Sequence, residues 1–168
     1  MSSDQAGGYE IKLAQTDAEI KSIVDFFLSE YSFDDRKFTP GELEELKINP
    51  IHSLHEKNYF YWYAVNKAGE IIGALGVKEN SQRTGGYMGD YCAIHREFRK
   101  HGIAQQMHET MFAHLRNIGA RYMLIQTCDT PFYKQMVHLL ERNGFELVGH
   151  CPDYYYKNEG MLLYMKKF

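Results

Sequence analysis

Cys92-Ala93-Ile94-His95-Arg96-Glu97-Phe98-Arg99-Lys100-His101-Gly102-Ile103-Ala104-Gln105 is the run whose reading decides the fold. Tyr91 to Ile94 is extended and apolar, and a charged turn follows it. From Gly102 onward Ile103, Met107, Met111, Leu115 and Ile118 recur every three or four residues, as on one face of a helix, and Gly119 stops it. The order is strand, loop, helix. Arg99-x-x-Gly102-x-Ala104 puts two residues with little or no side chain where the helix begins. Several backbone N–H groups therefore lie bare at the positive end of the helix dipole, an end that suits a phosphate.

A second block, Leu139-Leu140-Glu141-Arg142-Asn143-Gly144-Phe145, reads as the last turns of a helix ended by glycine. A short glycine pattern alone is weak, but two motifs in this order, each in its structural context, are specific. Together they resemble the acetyl-CoA motif and the later helix motif of the GNAT superfamily of N-acetyltransferases. The resemblance implies acetyl-CoA as acyl donor, with no metal. It assigns the pantetheine strand to Cys92, Ala93 and Ile94, and the pyrophosphate loop to Arg99, Lys100, His101, Gly102, Ile103, Ala104 and Gln105. The tyrosine that often serves the family as general acid is replaced here by Leu140.

Outside that run, the chain is 168 residues, long enough for one domain with a real core and short for two. We expect a single domain over residues 1–168, with Met1 to Gly8 as a flexible, polar tail that lacks the features of a signal peptide. The 44% hydrophobic share is that of a globular protein, and no apolar run approaches the roughly 20 residues of a membrane span. The expectation is a soluble, cytoplasmic protein without membrane contact. A net charge of −3 argues against a nucleic-acid partner and mildly favours a cationic one. Cys92, Cys128 and Cys151 cannot all pair, and Cys92 and Cys128 fall on apolar strands as buried thiols.

In order, Tyr9 to Ala14 reads as an edge strand, and Thr16-Asp17 caps a helix through Leu28. Thr39-Pro40 with Glu42 is a capping box for a short second helix ending near Asn49-Pro50. Tyr59 to Val65 and Glu70 to Val77 form a hairpin around Asn66-Lys67-Ala68-Gly69, and Lys78 to Gly86 is a polar loop. After the central strand and helix, Arg121 to Thr127 reads as a strand buried on both faces. A helix from Pro131 to Asn143 follows, then strands Phe145 to Cys151 and Met161 to Lys166 with a tyrosine-rich loop between them. The fold class is thus α/β (α+β mixed), a GNAT-like single domain. The resemblance and the connection rules imply a central mixed, mostly antiparallel sheet of about seven strands flanked by about four helices. In the family the parallel strand pair splays apart at the cofactor.

Acetyl transfer to an amine needs a neutral amine, a polarised thioester carbonyl and a proton for the departing thiolate. Asp90, four residues before Ile94 and on the same side by alternation, is the candidate base, against a plain strand-edge carboxylate paired with an arginine. Tyr133, seven residues before Leu140 and so on its helical face, is the candidate acid, against a ring packed under the sheet. Gln126 can hold a water. His95, His101 and His108 read as surface near the loop, and His52-x-x-His55 lacks further metal ligands. Tyr154-Tyr155-Tyr156 either faces the acceptor, as a tyrosine pair does in similar enzymes, or covers a sheet edge. Glu30, Asp34, Asp35, Glu42, Glu44 and Glu45 either attract a cationic amine or form a solvated face. The function this implies is transfer of acetyl from acetyl-CoA to a primary amine, small-molecule or peptide, by direct attack without Cys92 as nucleophile. The rival is a non-catalytic acyl-CoA-binding module. A homodimer is common among similar proteins.

Overall fold

Thr16 and Thr39 open the first two helices by the same device: each hydroxyl accepts from the third helical amide while a glutamate there reaches back to the threonine N–H. The computed structural model describes residues 8–168, so the tail expected over Met1 to Gly8 lies, apart from Gly8, outside the described residues. The elements are β1 (Tyr9–Leu13), α1 (Asp17–Leu28), α2 (Pro40–His52), β2 (Tyr59–Asn66), β3 (Ile71–Glu79), β4 (Gly86–Ile94), α3 (Ile103–Asn117), β5 (Tyr122–Cys128), α4 (Lys134–Arg142), β6 (Glu146–Tyr156) and β7 (Glu159–Lys167). Short 3₁₀ turns, Arg96–Phe98 and Pro131–Tyr133, precede α3 and α4. The strands order as β1-β2-β3-β4-β5-β7-β6 in one seven-stranded sheet. Pairs β1/β2, β2/β3, β5/β7 and β6/β7 are antiparallel, and β4/β5 is parallel from Gly86↔Tyr122 to Met88↔Leu124. The mixed sheet, the four helices and the parallel pair are those expected.

By its contacts the chain divides into two units, one running up to Lys78 and resuming over Asp90–Leu115, the other made of Glu79–Gly89 and Arg116–Phe168. In the first unit the core gathers Ile20, Ile23 and Phe27 of α1, Leu46 of α2, Tyr59, Tyr61 and Tyr63 of β2 and Ala74 of β3. The apolar stripe of α3 is buried at Ile103, Met107, Met111 and Leu115. Ile118 falls beyond its end and is 41% exposed, so it is not part of the stripe. A Cβ at Gly76 would run into the Tyr61 ring, so glycine there lets the ring lie over β3. The second helix does not stop at Asn49-Pro50: α2 runs to His52 with Pro50 inside it and buried. Proline costs that helix one internal bond, but Ser53 closes the turn, its amide donating to Asn49 O and its hydroxyl to Pro50 O at 2.6 Å.

Glu19 serves both the α1 cap and the sheet. Tyr63 Oη donates to its Oε1 at 2.6 Å and the Gln15 and Thr16 amides donate to Oε2 at 2.9 Å. These bonds, Tyr63 first, pull the carboxyl from 4.5 down to about 2. A depressed carboxylate stabilises the fold above its unfolded pKa, and that contribution disappears as pH falls from 4.5 to about 2. Glu19→Gln is therefore expected to lose about 1–2 kcal/mol at neutral pH, after allowance for solvent screening, and to flatten stability across that window. Urea midpoints measured against pH check it; a variant with the wild-type acid limb would show that Glu19 is not its source.

The second unit corrects two expectations. In β5, Met123, Ile125 and Thr127 are buried while Gln126 is exposed, so the strand alternates rather than being covered on both faces. Gln126 is the residue that sets the period: an uncharged polar side chain inside an apolar run marks the open face. β6 continues through Tyr154-Tyr155-Tyr156, which are strand and not loop, because pairing with β7 resumes at Tyr156↔Glu159 after an irregularity past Cys151. The tip is a tight turn in which Asn158 has φ +65° and its amide donates to Asp153 Oδ1 at 2.5 Å. Leu140 of α4 is wholly buried, and Gly144, at φ +80°, ends that segment.

Candidate active site

Residues i and i+2 of a strand share a face, and β2 uses this to aim Tyr59 and Tyr61 at one carboxylate. Each hydroxyl donates to Asp90 Oδ2 at 2.5 Å, and Asn49 Nδ2 of α2 donates to Oδ1 at 3.1 Å. Tyr59 and Tyr61 are buried and Asp90 is half-buried. Burial pushes the Asp90 carboxyl above the ordinary carboxylate range, against the pull of its three donors. Burial, then the charge of Asp90, pushes both phenols up as well, so they stay protonated donors. A carboxylate offers about four lone-pair directions. Three are taken, which leaves Oδ1 one acceptor position. Beside this group Tyr91 Oη donates to Glu45 Oε2 of α2 at 2.6 Å. Among the described residues no arginine pairs with Asp90; phenols and an amide hold it instead.

Past Ile94 the chain turns through the 3₁₀ turn into the loop before α3. His95 N donates to Ile72 O at 2.9 Å, and the His95 ring stacks on Tyr31, centroids 4.5 Å apart, and lies nearly parallel to Phe26 at 6.3 Å. Lys100 (φ +65°) and Gly102 (φ +79°) adopt left-handed backbone, and a Cβ at Gly102 would meet nothing within 4 Å. Conformation, not crowding, asks for glycine there, and open space lies in front of it. The first internal bond of α3 is Gln106 N to Gly102 O, 3.0 Å, so the amides of Ile103 and Ala104 precede it. Lys100 and His101 are exposed, Ala104 and Gln105 are half-buried, and Ile103 is buried in the core. The three side-chain nitrogens of Arg99 turn back into the protein, Nε to Ile94 O at 3.0 Å, Nη1 to Asp34 Oδ2 at 2.5 Å and Nη2 to Ser32 O at 2.9 Å.

Within the strand segment, Ala93 is buried and Cys92 and Ile94 are half-buried. Burial pushes the Cys92 thiol up to about 12, so it is not a thiolate at neutral pH. All three cysteines are free. Tyr133 lies in the second unit, half-buried and one residue before α4, so its two-turn spacing to Leu140 starts outside the α-helix. His108 is not surface: it is 2% exposed, its Nδ1 lies 2.8 Å from Ala104 O, and burial disfavours its cation. His52 faces Glu56 at 3.5 Å, and no group of three metal-binding side chains exists among the described residues. Of the carboxylates of the α1–α2 region, Asp34 pairs with Arg99, Asp35 accepts from Lys37 N, Glu42 caps α2 and Glu45 accepts from Tyr91. Asp35 and Glu42 serve local turns, while Asp34 and Glu45 tie this region to Arg99 and Tyr91. Asn49, Tyr59 and Tyr61 were missed in the sequence; the tyrosine alternation Tyr59-x-Tyr61-x-Tyr63 was the available signal.

The model of the acetyltransferase (GNAT) family matches residues 20–145. The sequence finds no match among curated proteins. Among solved structures, a protein from Desulfovibrio desulfuricans assigned to the GNAT acetyltransferases superposes with a TM-score of 0.82 at 15% identity, covering 95% of this chain and 99% of that one. A Bacillus anthracis protein assigned as a streptothricin acetyltransferase, in complex with acetyl coenzyme A, gives 0.62 at 14% identity over 70% and 67%. The ribosomal-protein-S18-alanine N-acetyltransferase of Escherichia coli gives 0.73 at 10% identity over 94% of each chain. At such identities the superpositions speak for the fold, and the family match speaks for descent. With the glycine loop at the head of α3 inside the matched region, the chain belongs to the acetyltransferase (GNAT) family.

Proposed function

We propose that the protein is an N-acetyltransferase that moves the acetyl group of acetyl-CoA to a primary amine by direct attack. The observation that carries this is the pairing, in one unit, of an open helix head at Gly102 with a part-satisfied carboxylate, Asp90, on the strand leading to it. The residues present fit the donor: the amides of Ile103 and Ala104 would hold phosphate oxygens beside Lys100, and the backbone of Cys92–Ile94 would take the pantetheine arm. Bound there, acetyl-CoA supplies an acetyl group activated as a thioester. Asp90 Oδ1 orders the acceptor and takes the amine proton, and burial, by raising its affinity for a proton, brings it closer to that task. Tyr59, Tyr61 and Asn49 hold its orientation. Tyr133 keeps the part of proton donor to the leaving sulfur on the strength of the sequence alone.

Direct attack rests on Cys92. A thiol raised to about 12 holds its proton at neutral pH and makes a poor acyl acceptor, and among its causes burial is the only one. Cys92→Ala is accordingly expected to retain turnover within about threefold of the wild type, in keeping with a small change at a half-buried site. The test is release of coenzyme A thiol with a panel of small amines and peptides bearing free N-termini. Transfer to at least one amine, unchanged in Cys92→Ala, supports the proposal; an acetylated Cys92 trapped on the protein would overturn direct attack, and a silent panel with tight coenzyme A binding would favour the non-catalytic module.

A further inference from the structure

Arg99 opens the loop before α3, yet each of its three guanidinium nitrogens donates to another part of the protein. Its fork joins three places: the end of β4 at Ile94 O, and Ser32 O and Asp34 Oδ2 in the connection between α1 and α2. Its side chain is 31% exposed, so these bonds are partly shielded from water. The same connection is held to the same segment again, by Arg96 N donating to Tyr31 O at 2.9 Å and by the Tyr31–His95 stack. It is tied to the end of α1 by Ser32 Oγ on Phe27 O at 2.7 Å and stiffened within itself by Arg36 Nη1 on Ser29 O at 2.5 Å. The helix that follows, α2, carries Asn49 to Asp90.

We propose that Arg99 is a positioning residue and not a phosphate ligand: it latches the α1–α2 connection to the loop before α3, so that filling the loop and ordering Ser32–Asp34 are one event. The proposal rests on the loop being the coenzyme A site. The three bonds use three of the five N–H donors of the guanidinium, and its charge is already matched by Asp34, so a phosphate reaching Arg99 would meet at most two spare N–H groups on a neutralised pair, a weaker anchor than the bare amides at the helix head. A phosphate held by the amides of Ile103 and Ala104 leaves the fork in place and steadies the backbone from which it springs. A ligand biases a segment only through a difference in its free energy between that segment's states, and the fork is the connection through which that difference passes. Lysine cannot replace it, because one ammonium cannot reach three acceptors set apart by a planar fork.

Coenzyme A is titrated by calorimetry into wild type, Arg99→Gln, Arg99→Lys and Asp34→Asn, and amide hydrogen exchange is followed over residues 30–36 with and without it. The expected result is coenzyme A affinity within about threefold of wild type in all variants. In wild type, coenzyme A should slow exchange in 30–36 by about tenfold; in both Arg99 variants and in Asp34→Asn that protection should be lost although the nucleotide still binds. A loss of a hundredfold or more in affinity for Arg99→Gln, with Asp34→Asn unaffected, would make Arg99 a phosphate ligand and overturn the latch. Wild-type protection in the Arg99 variants would overturn it equally. If wild type binds no coenzyme A, the functional reading falls, and the coupling with it; unliganded exchange in 30–36 that is faster in Arg99→Gln would then leave only a structural tie.

Discussion

Gly102→Val is expected to bind coenzyme A about two to four orders of magnitude more weakly than wild type while remaining folded. Gly102 sits at φ +79°, and the direction its side chain would take is open, so valine meets no neighbour but must hold a left-handed backbone. That strain costs about 1–2 kcal/mol, more for a β-branched residue, which a domain of ordinary stability survives. The new side chain enters the open space at the helix head, where the phosphate is proposed to lie. Losing two backbone bonds to a charged phosphate, at about 1.5–3 kcal/mol each, accounts for the drop. Calorimetric titration, with circular dichroism as the folding control, measures it. Wild-type affinity in a folded Gly102→Val would place the nucleotide elsewhere and remove the main support for the proposed donor site.

Asp90→Asn is expected to lower kcat about 10²–10⁴-fold with coenzyme A affinity unchanged, the range associated with losing a general base. The substitution keeps the shape of the side chain. With its carbonyl in the place of Oδ1 it still accepts from Asn49 Nδ2, and the Tyr59 and Tyr61 hydroxyls can turn to accept from the NH₂ in the place of Oδ2, so the fold is retained. What disappears is the proton affinity that burial raises at Oδ1. Activity in wild type should therefore rise with pH through a raised carboxyl pKa, because the base works only when deprotonated, and Asp90→Asn should lack that acid limb. A pH profile of kcat decides the matter: Asp90→Asn with wild-type kcat, or with the acid limb intact, would reduce Asp90 to a tie between α2, β2 and β4.

The helix ends were written locally. Thr16 with Glu19 and Thr39 with Glu42 cap wherever they occur, because the bonds close within four residues. The same holds for the glycine at the head of α3 and for the apolar stripe behind it, whose period is a property of neighbouring residues. These local signals, in their order along the chain, are why the family was legible. Pro50 shows where local signals stop: proline usually ends a helix, but with this one buried and Ser53 closing the turn, α2 runs on to His52.

Order of elements, the N-terminal caps and the head of α3 were therefore determined by the sequence itself, through interactions that span a turn or two. The surroundings of Asp90 were not, since Asn49, Tyr59 and Tyr61 stand 41, 31 and 29 residues away and meet it only when α2, β2 and β4 are assembled. Nor was the task of Arg99, whose partners Asp34 and Ser32 lie 65 and 67 residues before it. A motif specifies the backbone path; which acceptor a long, flexible cation reaches depends on what the tertiary fold brings within a hydrogen bond, and here that was a carboxylate and two carbonyls of the protein.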